Sequence, residues 1–223
     1  MPTDPIDDLD ACLAPGRFTD SDHPDVVAFA EAVTAGVAGS RQQAVQLFLA
    51  VRDGIRYDPY AVSRDPDDFR ASRVVHTDRA WCVPKAVLLT AACRAAGIPA
   101  RLGFADVRNH LNSEKLRATM GTDLFVFHGF SELWLGGRWV KVSSAFNREL
   151  CERFGTRVLD FDGEHDALMH PYDRAGHRHM EYVRERGSYL DLPLEEMWAV
   201  FRDVYPGYDD LPPVVDDAFH RRG

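Results

Sequence analysis

Residues 79–104, RAWCVPKAVLLTAACRAAGIPARLGF, constrain the fold more tightly than any other stretch. Ala86, Val87, Leu89, Thr90 and Cys93 recur at helical spacing and predict a helix with an apolar face. Pro84 falls in its first turn, where a missing N–H is tolerated because it has no intrahelical acceptor. Gly97 and Pro99 predict the stop, and residues 100–104 read as a strand, extending towards Val107. A helix of this kind has to be buried, and Cys82 stands at its start. Unpaired N–H groups and the positive end of the helix dipole favour a thiolate over a thiol there. A cysteine alone is more often a small buried hydrophobe, so the position acquires chemistry only if the chain also supplies a base.

Residues 124–135 supply one. LFVFHGFSELWL is aromatic, β-branched and largely alternating, Gly136-Gly137 is a hairpin turn, and residues 138–143 return as a second strand. Alternation places His128, Phe130, Glu132 and Trp134 on one face. His128 is the histidine centred in a strand pattern, and Ser143, at the end of the partner strand, is placed to orient its ring. Trp134, Trp139, Phe125 and Phe127 read as core, and Glu132 and Arg101 as structural ion-pair partners.

Two blocks of residues carry a family resemblance. The first is Trp81-Cys82, Ala86, Leu89, Ala92, Arg94-Ala95 and Gly97-Ile98-Pro99-Ala100-Arg101. The second is His128-Gly129-Phe130, Glu132-Leu133-Trp134-Leu135-Gly136-Gly137-Arg138-Trp139-Val140. Together, over residues 45–147, they resemble the transglutaminase-like core of the papain-like cysteine enzymes. The resemblance implies an α+β fold with helices packed on an antiparallel β-sheet, Cys82 as nucleophile and His128 as general base and acid. The family's usual third member is an aspartate, and Ser143 occupies that slot. Asn147 is the other candidate to steady the imidazole, since an amide fills this role in papain-type sites. The implied chemistry is acyl transfer or hydrolysis on an amide or thioester through a Cys82 thioester. The Cys82 N–H would hold the oxyanion, with the Trp81 indole or His76 as second donor. The serine in the aspartate's place motivates an alternative: a non-catalytic relative that binds a peptide or protein partner in the same cleft.

Composition removes other classes. A formal charge of −9 over 223 residues argues against nucleic acid as a ligand. No apolar run approaches a membrane span, and the acidic N-terminus is no leader, so the expected location is cytoplasmic. Cys12, Cys82, Cys93 and Cys151 form no C-x-x-C pair, which argues for free thiols. His165, His170, His177 and His179, with Asp166, Asp173 and Glu181, are metal-ligating residue types. Their spacing matches no standard metal site, so a loop rimming the cleft is expected with no metal or cofactor. The expected partner is a peptide, protein or small amide or thioester substrate.

Residues 1–20 read as a loose arm, 21–205 as one domain and 206–223 as a tail. Helices are predicted from Pro24 to Val37, from Ser40 to Gly54 with a Ser40–Gln43 capping box, over 113–119, within 147–160, and over 193–204 with Leu194, Met197, Trp198 and Phe201 inward. Residues 55–60 are expected to be extended and 161–191 to be loop.

Overall fold

The computed structural model describes residues 8–110, 114–170, 172–177 and 179–205. The chain runs through α1 (Pro24–Thr34), α2 (Ser40–Gly54), β1 (Arg56–Tyr57), a 3₁₀ turn (Pro66–Phe69), α3 (Ala71–Val74), β2 (Arg79–Ala80) and α4 (Cys82–Ala95). It continues through β3 (Ala100–Asn109), α5 (Glu114–Met120), β4 (Leu124–Leu135), β5 (Arg138–Val142), α6 (Arg148–Phe154), β6 (Met180–Tyr189) and α7 (Leu194–Val204). One antiparallel sheet has the order β5-β4-β3-β6, and β1 and β2 form a separate parallel pair.

Helix α4 is the centre of the molecule. The predicted apolar face is too narrow a description, because every residue from Cys82 to Arg94 is buried. Helices α1, α2 and α3 pack on one side of it and strands β3 and β4 on the other, so no face is left for solvent. Gly97 takes φ 75° at the stop, a conformation that costs a side chain. Across the helix–sheet boundary, Thr90 Oγ1 donates to Ser131 Oγ at 2.9 Å and Ser131 Oγ donates to the Ala86 carbonyl at 3.1 Å. That buried link fixes the cysteine helix against the histidine strand.

The β4–β5 hairpin forms as its sequence predicts. Gly136 and Gly137 both have positive φ, 60° and 82°, which a type I′ turn needs. Trp134 and Trp139 pair across it, with ring centroids 5.4 Å apart. Arg101 and Glu132 form the expected ion pair at 2.5 Å, and the Arg101 guanidinium lies over Trp139 at 4.1 Å.

Elsewhere the structure departs from the sequence reading. Helix α1 ends at Thr34 rather than Val37. Gly39, not Ser40, is the N-cap of α2, and the Gln43 side chain donates to the Val37 carbonyl, so the predicted capping box does not form. Strand β6 lies inside the stretch expected to be loop. It is the edge strand beyond β3, half of it exposed, and its charged sequence hides the alternation that burial would otherwise impose. Nor is the whole of 1–20 a loose arm. Cys12, Phe18, Thr19 and Asp20 are buried, and the Asp191 carboxylate accepts from Phe18 N, Thr19 N and Thr19 Oγ1. Residues 1–7, Ser113 and the tail 206–223 lie outside the described residues. No helix among the described residues is long and apolar enough to cross a membrane.

Candidate active site

Cys82 is the first residue of α4, with Trp81 as N-cap. The backbone N–H groups of Val83 at the helix start and of Gly129 on β4, with the residue's own, lie close enough to the Cys82 sulfur to favour its charged form. The peptide joining His128 to Gly129 therefore lies directly against the thiol. The approach is possible because residue 129 is glycine: a Cβ there would fall 3.1 Å from Val83 Cα and 3.2 Å from Val83 Cγ2. Sequence alternation brings His128 to β4; the missing side chain at Gly129 lets β4 reach the helix start.

The electrostatics differ from the thiolate expected at a helix start. Burial pushes the Cys82 thiol up to about 11, against the Gly129, Val83 and Cys82 N–H groups and the Lys85 cation, which all pull it down. A helix terminus contributes about 0.3–1 kcal/mol. A rise of two pH units corresponds to roughly 3 kcal/mol, so desolvation wins. Burial likewise drives the His128 imidazole down to about 4. In this closed arrangement both groups are neutral.

Tyr57, Tyr182 and Tyr205 wall the site. Burial holds all three hydroxyls above their ordinary range, and a thiolate at Cys82 would raise them further. The His128 ring packs edge-on against Tyr182, with centroids 6.2 Å apart. Lys85 sits one turn into α4, fully buried, and its Nζ donates to the Arg52 and Ile55 carbonyls at the end of α2. Burial lowers its ammonium to about 7. Tyr182, Tyr205, Gly129 and Lys85 are absent from the candidates read from sequence. Of these, Lys85 carries a signal as a charge inside the apolar helical run, and Gly129 carries one only as part of the His128-Gly129-Phe130 motif.

The proposed orienting residues are placed as follows. Ser143 follows β5, one step beyond the Ser131–Val142 pair, and its N–H donates to the Ala167 carbonyl. Its Oγ and His128 Nε2 are both buried without a hydrogen-bond partner among the described residues, so the serine does not hold the ring. Asn147 Oδ1 accepts the Tyr57 N–H at 3.1 Å, fixing β1 beside the site. The Trp81 indole packs among Phe69 and Phe201, and its buried Nε1 has no partner among the described residues. His76 is exposed and bonded to Asp25, outside the donor set at Cys82.

The histidine-rich segment packs against β5 and the chain that follows it. Ala167 bridges to Val142, and His179 stacks on Phe146 at 5.9 Å. His165 bonds to Asp162 and His177 to Asp173. Among the described residues no group of three or more His, Cys, Asp or Glu could hold a metal ion.

The buried imidazole has a consequence for stability. The unfolded chain protonates His128 near its ordinary 6.5, whereas the folded protein refuses the proton until about 4. Stability is therefore fully present above about 6.5 and is lost as pH falls towards 4, by up to roughly 3 kcal/mol from this residue. His179, pushed down to about 4 by burial, acts in the same direction. Urea midpoints measured from pH 7 to pH 4.5 should fall, with a shallower slope in His128→Asn. An equal slope in the variant would refute the assignment.

A buried helix begun by a cysteine and packed on an antiparallel sheet, one strand of which carries a histidine, is the papain-like class of fold. The sequence profile of the transglutaminase-like superfamily matches residues 27–144, and the chain belongs to that superfamily. No curated protein matches the sequence. The solved structures similar to it at low identity include two candidate proteases. A candidate cysteine protease from Cytophaga hutchinsonii is 20% identical with a TM-score of 0.49, over 62% of this chain and 42% of its own. A candidate protease from Parabacteroides distasonis is 15% identical with a TM-score of 0.39, over 64% of this chain and 29% of its own. The chain thus spans less than half the length of either.

Proposed function

We propose that the protein is a cysteine enzyme that performs acyl transfer or hydrolysis on an amide or thioester, with Cys82 as nucleophile and His128 as its base. The observation that carries this reading is the close approach of Gly129 on β4 to Val83 at the start of α4, which brings the strand that carries His128 to the Cys82 end of the helix. Because thiol and imidazole are both neutral when buried, proton transfer accompanies attack rather than preceding it. The Cys82 proton passes to His128 as sulfur bonds to the carbonyl carbon. The Cys82 N–H and the uncommitted Trp81 Nε1 are the donors available to the oxyanion. His128 then returns the proton to the leaving group, and the thioester passes to water or an amine. The substrate is a peptide, a protein or a small amide or thioester. Four free cysteines fit a reducing, cytoplasmic setting.

A second reading, a peptide- or protein-binding domain without catalysis, is favoured by one observation. Ser143 carries no charge and makes no bond to His128, so an imidazolium would have no stabilising partner from that position.

Alkylation by iodoacetamide separates the two. In the catalytic reading Cys82 is labelled ahead of Cys12, Cys93 and Cys151, and His128→Asn slows its labelling at least tenfold. Labelling of Cys82 that is indifferent to His128 would exclude the imidazole as base and favour the binding domain.

A further inference from the structure

Strand β4 carries an extra residue immediately before His128. Ala105 on β3 pairs with His128 and Val107 pairs with Phe125, so Val126 and Phe127 together face the single residue Asp106. The ladder between β3 and β6 shifts on either side of the same place, between Phe104 and Ala105 and between Asp106 and Val107. Phe127 has φ 56°, the one described non-glycine residue with positive φ, and a buried aromatic residue adopts that region only when its surroundings impose it.

A bulge leaves amides that the ladder cannot satisfy. Here side chains from two other segments accept both. Val126 N–H donates to Tyr205 Oη at 2.7 Å, and Phe127 N–H donates to Asp106 Oδ1 at 3.2 Å. Arg186 of β6 grips the same carboxylate oxygen through Nε at 2.5 Å and lies over the Phe127 ring at 4.5 Å. Asp106 and Tyr205 are buried, and so is nearly all of the Arg186 side chain. An extra residue changes the face from which successive side chains emerge, and the change falls at the step before His128.

We propose that Asp106, Arg186 and Tyr205 form a clamp on the Val126–Phe127 bulge that sets the position of the His128 imidazole beside Cys82. They are positioning residues: each acts through the backbone of β4 and none touches the reacting atoms. The proposal rests on the reading of His128 as the base, but the clamp has a readout of its own.

That readout is the NMR spectrum of the full chain with isotope-labelled histidine, the His128 ring signals being assigned by their loss in His128→Asn. Tyr205→Phe removes one acceptor oxygen and keeps the ring, and Asp106→Asn removes the charge. Both should shift or broaden the His128 ring signals while leaving those of His23 and His165 in place. Both should slow Cys82 alkylation at least fivefold in folded protein. Arg186→Lys should keep the wild-type His128 signals that Arg186→Met loses. His128 signals unmoved in folded Tyr205→Phe and Asp106→Asn would overturn the clamp, as would an equal shift of all three histidines, the mark of a loosened fold. If Asp106→Asn does not fold, Tyr205→Phe decides. If the His128 signals move as expected while wild-type Cys82 alkylation is indifferent to His128, the clamp stands and the catalytic reading falls.

Discussion

Gly129→Ala is expected to cut Cys82 alkylation at least tenfold in a protein that still folds. The backbone at this position has no need of glycine, since its φ lies outside the left-handed region. What requires glycine is the approach of β4 to the start of α4. An alanine Cβ would lie 3.1 Å from Val83 Cα, 3.2 Å from Val83 Cγ2 and 3.4 Å from Phe104 Cε1. The closest of these is helix backbone, which cannot turn aside as a side chain can. Strand and helix must separate by a few tenths of an ångström, and overpacking of this kind costs about 1–3 kcal/mol. The functional effect should exceed the loss of stability, because the same movement carries the Gly129 N–H off the sulfur and His128 away with it. Alkylation rates, read beside urea midpoints, test this. A variant that loses stability yet alkylates Cys82 at the wild-type rate would show that the close approach serves packing alone.

The sequence displays the parts of this site and conceals what brings them together. Helix α4 and the β4–β5 hairpin are legible because their periodicities, proline, glycines and turn chemistry agree. Cys82 and His128 follow from those two elements. Gly129 also stands in the sequence, but as part of a motif. Its role depends on a helix 47 residues earlier in the chain, and no local pattern reports such a contact. The bulge at Val126–Phe127 is hidden for a similar reason. Alternation carries the eye straight through Phe125, Phe127 and Pro-free sequence around them, and the residues that satisfy the bulged amides come from β3 and from beyond α7. The charge state of the thiol does not follow from the sequence, because helix-end effects are visible there and the depth of burial is not. The N–H groups do favour the thiolate; desolvation outweighs them.

Arg94→Leu is expected to destabilise the fold by about 3–5 kcal/mol while leaving the Cys82 end of the helix intact. Arg94 is in the last turn of α4, and its guanidinium is buried. Nε donates to the Ala100 carbonyl at 2.9 Å. Nη1 donates to the Ala14 carbonyl at 2.8 Å and to Thr19 Oγ1 at 2.9 Å, and Nη2 donates to the Leu190 carbonyl at 2.5 Å. One side chain thus ties the chain before α1 and the chain after β6 to the central helix. Leucine fills much of the space but removes the donor from the buried Ala100 carbonyl and the buried Thr19 hydroxyl, a desolvation cost with no return, and unties the part-buried Ala14 and Leu190 carbonyls. Thr19 is also held by Asp191, so loosening should spread through residues 12–20 and 190–192 before it reaches the sheet. Hydrogen exchange ought to accelerate first at Phe18, Thr19 and Ala100, whose amides bond within this network. Cys82 lies at the opposite end of α4, about 18 Å away along the axis at 1.5 Å per residue. Below the variant's unfolding transition, its alkylation should therefore remain as dependent on His128 as in the wild type. Loss of that dependence together with stability would mean that the helix moves as a rigid rod and that its far end, too, sets the geometry of the site.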